Sequence, residues 1–158
     1  MKFKTKLIFM ITLLMGFNSL ELLAASTDGA IKYRKALMSA VKGNADAMVQ
    51  ILTKGVEGQE AALKDIADAM AKASKSSTLI AAFEENTHNQ SSKETTTATA
   101  KVWADWQDFS EAFVRMEAAA KSVADQAAAG TLTMKEMKSE LFKECGYCHR
   151  KAGYRTKK

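Results

Sequence analysis

The chain has 158 residues, a formal net charge of +5 and a pI near 9.2, with two cysteines, two histidines and no proline. Two cysteines are too few for a disulfide-stapled scaffold, and the absence of proline removes the commonest cause of a broken helix. Much of the positive charge sits in a segment that is expected to be lost.

Lys2, Lys4 and Lys6 precede an apolar run from Leu7 to Phe17, followed by a short stretch ending Leu23-Ala24-Ala25-Ser26. That is the layout of a secretory signal peptide over residues 1–25, with cleavage after Ala24 or Ala25. The run is short for a membrane span, and the plainer alternative is an uncleaved anchor. No cysteine lies near the cleavage point, which excludes a lipid anchor there. The expected product is a periplasmic protein with no stable membrane anchor. Removal takes three lysines and Glu21, so the charge falls to +3, which gives little support to nucleic-acid binding. Residues 26–158 suit one domain with a single core.

From Asp28 the apolar positions Ile31, Met38, Val41, Ala45, Met48 and Leu52 recur at helical spacing, with Thr27 or Asp28 as the expected N-cap and Gly55 at the stop. Arg34 falls on this inward seam. A buried guanidinium is costly unless an anion meets it; the plainer alternative is a side chain snorkelling to the edge. A second helix is expected from Glu57 to Lys75, with Leu63, Ile66, Met70 and Ala73 inward, antiparallel to the first because the connection is short. Leu79, Ile80 and Phe83 are expected to cap the end of the bundle. Glu84 to Thr99 has no apolar period and reads as a surface connection, with His88 a solvated loop residue.

The third helix carries Trp103, Trp106, Phe109, Phe113, Met116, Ala120, Val123 and Ala127 on one seam and ends at Gly130. These aromatics suit an ordinary core or a wall against a flat cofactor. A fourth helix opens on the capping box Thr133-Met134-Lys135-Glu136 and carries Met134, Met137, Leu141, Cys145 and Cys148 inward. Four amphipathic helices without a strand signal define an all-α, antiparallel up-down-up-down four-helix bundle.

The last two seam positions belong to Cys145-Gly146-Tyr147-Cys148-His149. C-x-x-C-H is the pattern of covalent haem c attachment, with two thioethers and a histidine ligand to iron. On a helix, positions i, i+3 and i+4 share one face. A structural zinc site needs four ligands, and only His88 remains as a second histidine; a thioredoxin-like dithiol expects a preceding strand, and none is patterned. With one haem c held at Cys145 and Cys148 and His149 on the iron, a propionate becomes the natural anion for Arg34. Met38, one turn after Arg34, can reach the opposite face as a thioether ligand or serve only as core. Two propionates would bring the processed protein near neutrality. No nucleophile–base pair or phosphate loop is visible, so no enzyme activity is expected.

Three segments resemble the cytochrome c′ and cytochrome c-556 family, the class II c-type cytochromes: Ile31-Lys32-Tyr33-Arg34-Lys35-Ala36-Leu37-Met38, Ala100-Lys101-Val102-Trp103 and the C-terminal motif. The resemblance implies thioethers at Cys145 and Cys148, proximal ligation by His149, Arg34 near a propionate and Met38 over the distal face. In members similar to c-556 that methionine binds iron and the protein carries electrons to a redox partner, here unnamed. In members similar to cytochrome c′ it does not, and diatomic gases such as nitric oxide or carbon monoxide bind. Homodimerisation through the first two helices is a family-level expectation. The family's aromatic-Arg pair commonly follows the histidine at three and four residues; here Tyr154-Arg155 follow at five and six, leaving Arg150 or Arg155 for the proximal role. A third alternative is a haem-free helical interaction protein.

Overall fold

The computed structural model describes residues 18–88 and 92–156, with side chains from Thr27 onward. The lysines and apolar run of the expected signal peptide lie outside the described residues. Its final residues form the beginning of α1, which runs from Asn18 to Leu52.

That length corrects the expected N-cap. Helical backbone passes straight through Thr27 and Asp28, and both side chains serve other ends: Thr27 donates to Glu85 at 3.4 Å, and Asp28 accepts from the Ser92 hydroxyl at 2.5 Å and the Lys93 N–H at 3.0 Å. They tie α1 to the long connection. The inward seam of α1 holds Ile31, Arg34, Val41, Ala45, Met48 and Ile51, all buried; Ile51 takes the place expected of Leu52, which is half-buried. A straight α-helix drifts against a strict three-four count, and the drift favours Ile51.

A 3-10 turn, Glu60–Ala62, leads into α2, Leu63–Ala73, which spans the apolar pattern but is shorter at both ends than the expected helix from Glu57 to Lys75. Ala67 and Met70 are its buried residues, while Leu63, Ile66 and Ala73 are half-buried. Helix α3, Ser76–Ala81, buries Leu79, and Phe83 follows it; both join the core rather than only capping the end of the bundle as expected, while Ile80 is half-buried. Glu117 organises its start, accepting from the Ser76 backbone N–H at 2.8 Å and from its hydroxyl at 2.5 Å.

The expected third helix is divided. Helix α4 covers Lys101–Ala104, Asp105 leaves helical geometry at φ −112° and ψ 45°, and α5 runs from Trp106 to Ala128. Along α5 the predicted seam is buried from Phe109 to Ala127, whereas Trp103 and Trp106, at the break, are half-buried. Trp103 uses its indole N–H to bond the Phe83 carbonyl at 2.8 Å. The stop at Gly130 is as expected: with φ +69° it places its N–H on the Ala127 carbonyl at 3.1 Å, and the Thr131 N–H on that of Gln126 at 2.9 Å. This double closure satisfies two otherwise orphaned carbonyls and favours glycine at the left-handed position.

The fourth helix is also divided, into α6, Met134–Ser139, and α7, Leu141–Gly146, followed by a π-helical turn, Tyr147–Lys151. The capping box is present: Thr133 accepts from the Lys135 N–H at 3.1 Å, and Glu136 folds back to accept from Thr133. Met137 and Leu141 are fully enclosed.

Helix α1 packs on α2, α2 on α5, and α5 on α7, while α1 and α7 share no extensive contact. The bundle is thus an antiparallel four-helix one whose first and last helices are spaced apart. Met48, Met70, Leu79, Ala120, Val123, Met137 and Leu141 form its fully buried centre. Each of the larger side chains contributes about 1.5–3 kcal/mol by leaving water. Among the described residues there is no strand, only one antiparallel bridge between Ala98 and Arg155, and no helix is long and apolar enough to cross a membrane.

Candidate haem site

Cys145 lies in the last turn of α7 and Cys148 in the π-turn; both are half-buried, packed against the core, and free. Burial raises both thiols above their ordinary pKa. Cys148 is pushed up to about 11 by burial and by the neighbouring Cys145. At neutral pH both remain thiols, which disfavours the thiolate attack that a disulfide requires.

His149 follows on the more open side of the turn. Crowding of the imidazole by the surrounding chain, then the charges of Arg155 and Arg150, lower its pKa, so the ring is neutral and able to bind a metal at physiological pH. Arg150 folds back across Gly146, where an added Cβ would stand 2.6 Å from Nη2. The glycine within the motif therefore makes room for this guanidinium. Arg155 instead lies in the bridge to Ala98 and is exposed.

The π-turn is a feature that the motif spacing does not reveal. Its closing bond runs from the Ala152 N–H to the Tyr147 carbonyl at 2.9 Å, one residue wider than an α-helical bond. Gly153, at φ +75°, then reverses the chain. Tyr154 enters the core, edge-on to Phe109 with ring centres 5.2 Å apart. The shifted Tyr-Arg spacing thus has a structural cause: after His149, the wide turn and the reversal bring Tyr154, not a residue three or four positions on, onto α5. Backbone bonds from Thr99 N–H to Tyr154 O at 3.1 Å and from Thr156 N–H to Thr97 O at 2.9 Å fasten the tail.

Asp108 on α5 completes this region. It accepts from the Tyr147 hydroxyl at 2.7 Å and also from the Tyr154 hydroxyl. These two bonds hold its carboxyl below the usual range, and both phenols are raised in turn, Tyr147 mainly by Asp108 and Tyr154 mainly by burial. Arg115 stacks over the Tyr147 ring at 4.9 Å and pairs with Glu144 at 3.1 Å. Asp108, Tyr147 and Arg115 were not singled out from sequence; a carboxylate one position from the α5 seam was the only signal.

On α1, Arg34 is 3% exposed, so it is a core arginine and not one that reaches the edge. It donates to Thr87 and lies over the rings of Phe83 and Trp103, at 4.9 and 5.7 Å. Among the described residues its buried Nη1 finds no hydrogen-bond partner. Burial lowers its pKa, opposed by the charge of Glu85. A buried cation with an unused donor is the feature a carboxylate of a bound cofactor would satisfy. Met38, one turn on, is half-buried against the core. His88 is exposed, with its ring 6.5 Å from that of Trp103. Two thiols and an imidazole on α7 and its turn, an under-satisfied guanidinium and a thioether on α1, and limited contact between these helices together fit a haem c.

A sequence model of the family described as Cytochrome C' matches residues 29–155. The chain belongs to the cytochrome c′ family, whose members are c-type haem proteins and typically periplasmic. Among solved structures, cytochrome c prime from Alcaligenes xylosoxidans, a ferrous variant with bound NO, is similar with a TM-score of 0.65 and 19% identity, covering 84% of this chain and 97% of that one. At that identity the likeness concerns the fold, and the four-helix bundle is the known topology of the family. No curated protein matches the sequence.

Proposed function

We propose that this chain is an exported, periplasmic c-type cytochrome that transfers single electrons through one haem c. Cys145 and Cys148 hold the group through thioethers, His149 binds its iron on the proximal side, Arg34 pairs with a propionate, and Met38 faces the opposite side. The observation carrying this reading is the pair of free, half-buried cysteines on the inner face of α7 and its turn, with His149 directly after them. When bound, the group supplies the Fe(III)/Fe(II) couple. The protein's part is to fix the imidazole, to shield the ring edge with the α5 aromatics, and to set local charge through Arg34. The proposal assigns the chain no enzymatic reaction.

A second reading is supported by the similar structure with bound NO: a five-coordinate iron that binds small gases on the Met38 side. The ferric absorption spectrum of the haem-loaded chain separates the two. Electron transfer with Met38 as ligand predicts low-spin iron and a sulfur-to-iron charge-transfer band. High-spin iron without that band transfers support to gas binding.

A further inference from the structure

The structure assigns to Asp108 a role as the positioning residue for His149, resting on the proposed haem site. Tyr147 lies two residues before His149 and Tyr154 five after it, and both hydroxyls converge on the one Asp108 carboxylate. A single side chain of α5 thus brackets the turn that carries the histidine. The turn needs such a bracket: its π-helical closure is less regular than an α-helical one, and Gly153 beyond it adds a flexible reversal.

The bracket is anchored on both sides. The Tyr147 ring is covered by Arg115, itself fixed to Glu144 of α7, and Tyr154 is packed edge-on against Phe109, one residue after Asp108. Bonds to a carboxylate are among the stronger neutral-donor hydrogen bonds, and two from opposite ends of one turn restrict its rotation more than either alone. The orientation of a ligating imidazole is usually set by a partner on its second nitrogen. Here Asp108 acts through the backbone of the turn, so its effect is on the angle at which the imidazole meets the iron.

The test uses the haem-loaded protein with Asp108→Asn, Tyr147→Phe and Tyr154→Phe, and the Tyr147→Phe/Tyr154→Phe pair in case Asp108 variants fold poorly. Three quantities are read: the ferrous iron–histidine stretching band by resonance Raman, the reduction potential, and hydrogen exchange at the Ala152 amide, whose bond closes the turn. Asp108→Asn and the double Phe variant are expected to shift or broaden the band, move the potential and speed Ala152 exchange about tenfold. Each single Phe variant is expected to do less than the pair. An unchanged band and potential, with only a lower melting temperature, would overturn the assignment and leave Asp108 a stability residue. A wild-type chain that carries no covalent haem after maturation overturns the proposed function, and this inference with it, so the two failures are distinct.

Discussion

The guanidinium of Arg34 stands over the ring of Phe83, 4.9 Å from its centre, and Phe83 in turn meets Phe109 edge-on at 5.0 Å. Because Phe109 also contacts Tyr154, a line of rings joins the buried cation of α1 to the turn that follows Cys148. The two halves of the candidate site are therefore coupled through packing.

Arg34→Met should affect the haem-loaded and haem-free chains differently. In the free chain the lost Thr87 bond is offset by removing a buried charge with an unused donor, so stability should change little. In the loaded chain the variant should lose about 1–3 kcal/mol and show a lower reduction potential, since a nearby cation favours the reduced state. Denaturant unfolding of both forms checks this; equal losses would count against a propionate at Arg34.

Glu117 gives the acid limb of stability a definite position. Bonds from Lys121 and from Ser76 lower its pKa from 4.5 to about 2. A depressed carboxyl contributes stability above its unfolded value, and that contribution fades as pH falls from about 4.5 through about 2. Glu117→Gln should flatten the stability–pH curve in that window and loosen α3. Urea titrations at several pH values would show it, and an unchanged slope would sink the assignment.

Phe109→Ala should cost about 3–5 kcal/mol, because the ring contacts Phe83, Phe113, Trp106 and Tyr154 together and its loss leaves a cavity where the two halves of the site meet. Thermal unfolding measures it. A loss under about 1 kcal/mol would mean that the core closes over the gap.

Met38→Ala should abolish the sulfur-to-iron band and convert the ferric iron to high spin if Met38 is a ligand. If the wild type is already high-spin, the same substitution should instead widen access for nitric oxide and raise its association rate. Absorption spectra and stopped-flow mixing read these outcomes, and a low-spin Met38→Ala protein would contradict both.

The bundle was legible in the sequence because its helices carry long apolar seams, and the α5 seam from Phe109 to Ala127 is buried as its spacing predicts. Arg34 was legible too, since its place in the α1 period put it inward. The interruptions at Asp105 and Glu140 were not, because neither residue is a glycine or proline and the apolar spacing continues across both. Thr27 and Asp28 have cap chemistry, yet tertiary bonds to Glu85, Ser92 and Lys93 use it elsewhere. The clamp of Tyr147, Tyr154 and Asp108 joins residues 39 and 46 apart in the chain, a distance over which no local pattern reports.

The central claim is tested most directly by the mass of the exported chain purified from a host with cytochrome c maturation, alongside Cys145→Ala/Cys148→Ala. The account predicts a wild-type mass equal to the processed polypeptide plus one haem, retained after denaturation, and a haem-free double variant. A wild-type polypeptide without haem, still bearing two reactive thiols at Cys145 and Cys148, would contradict it.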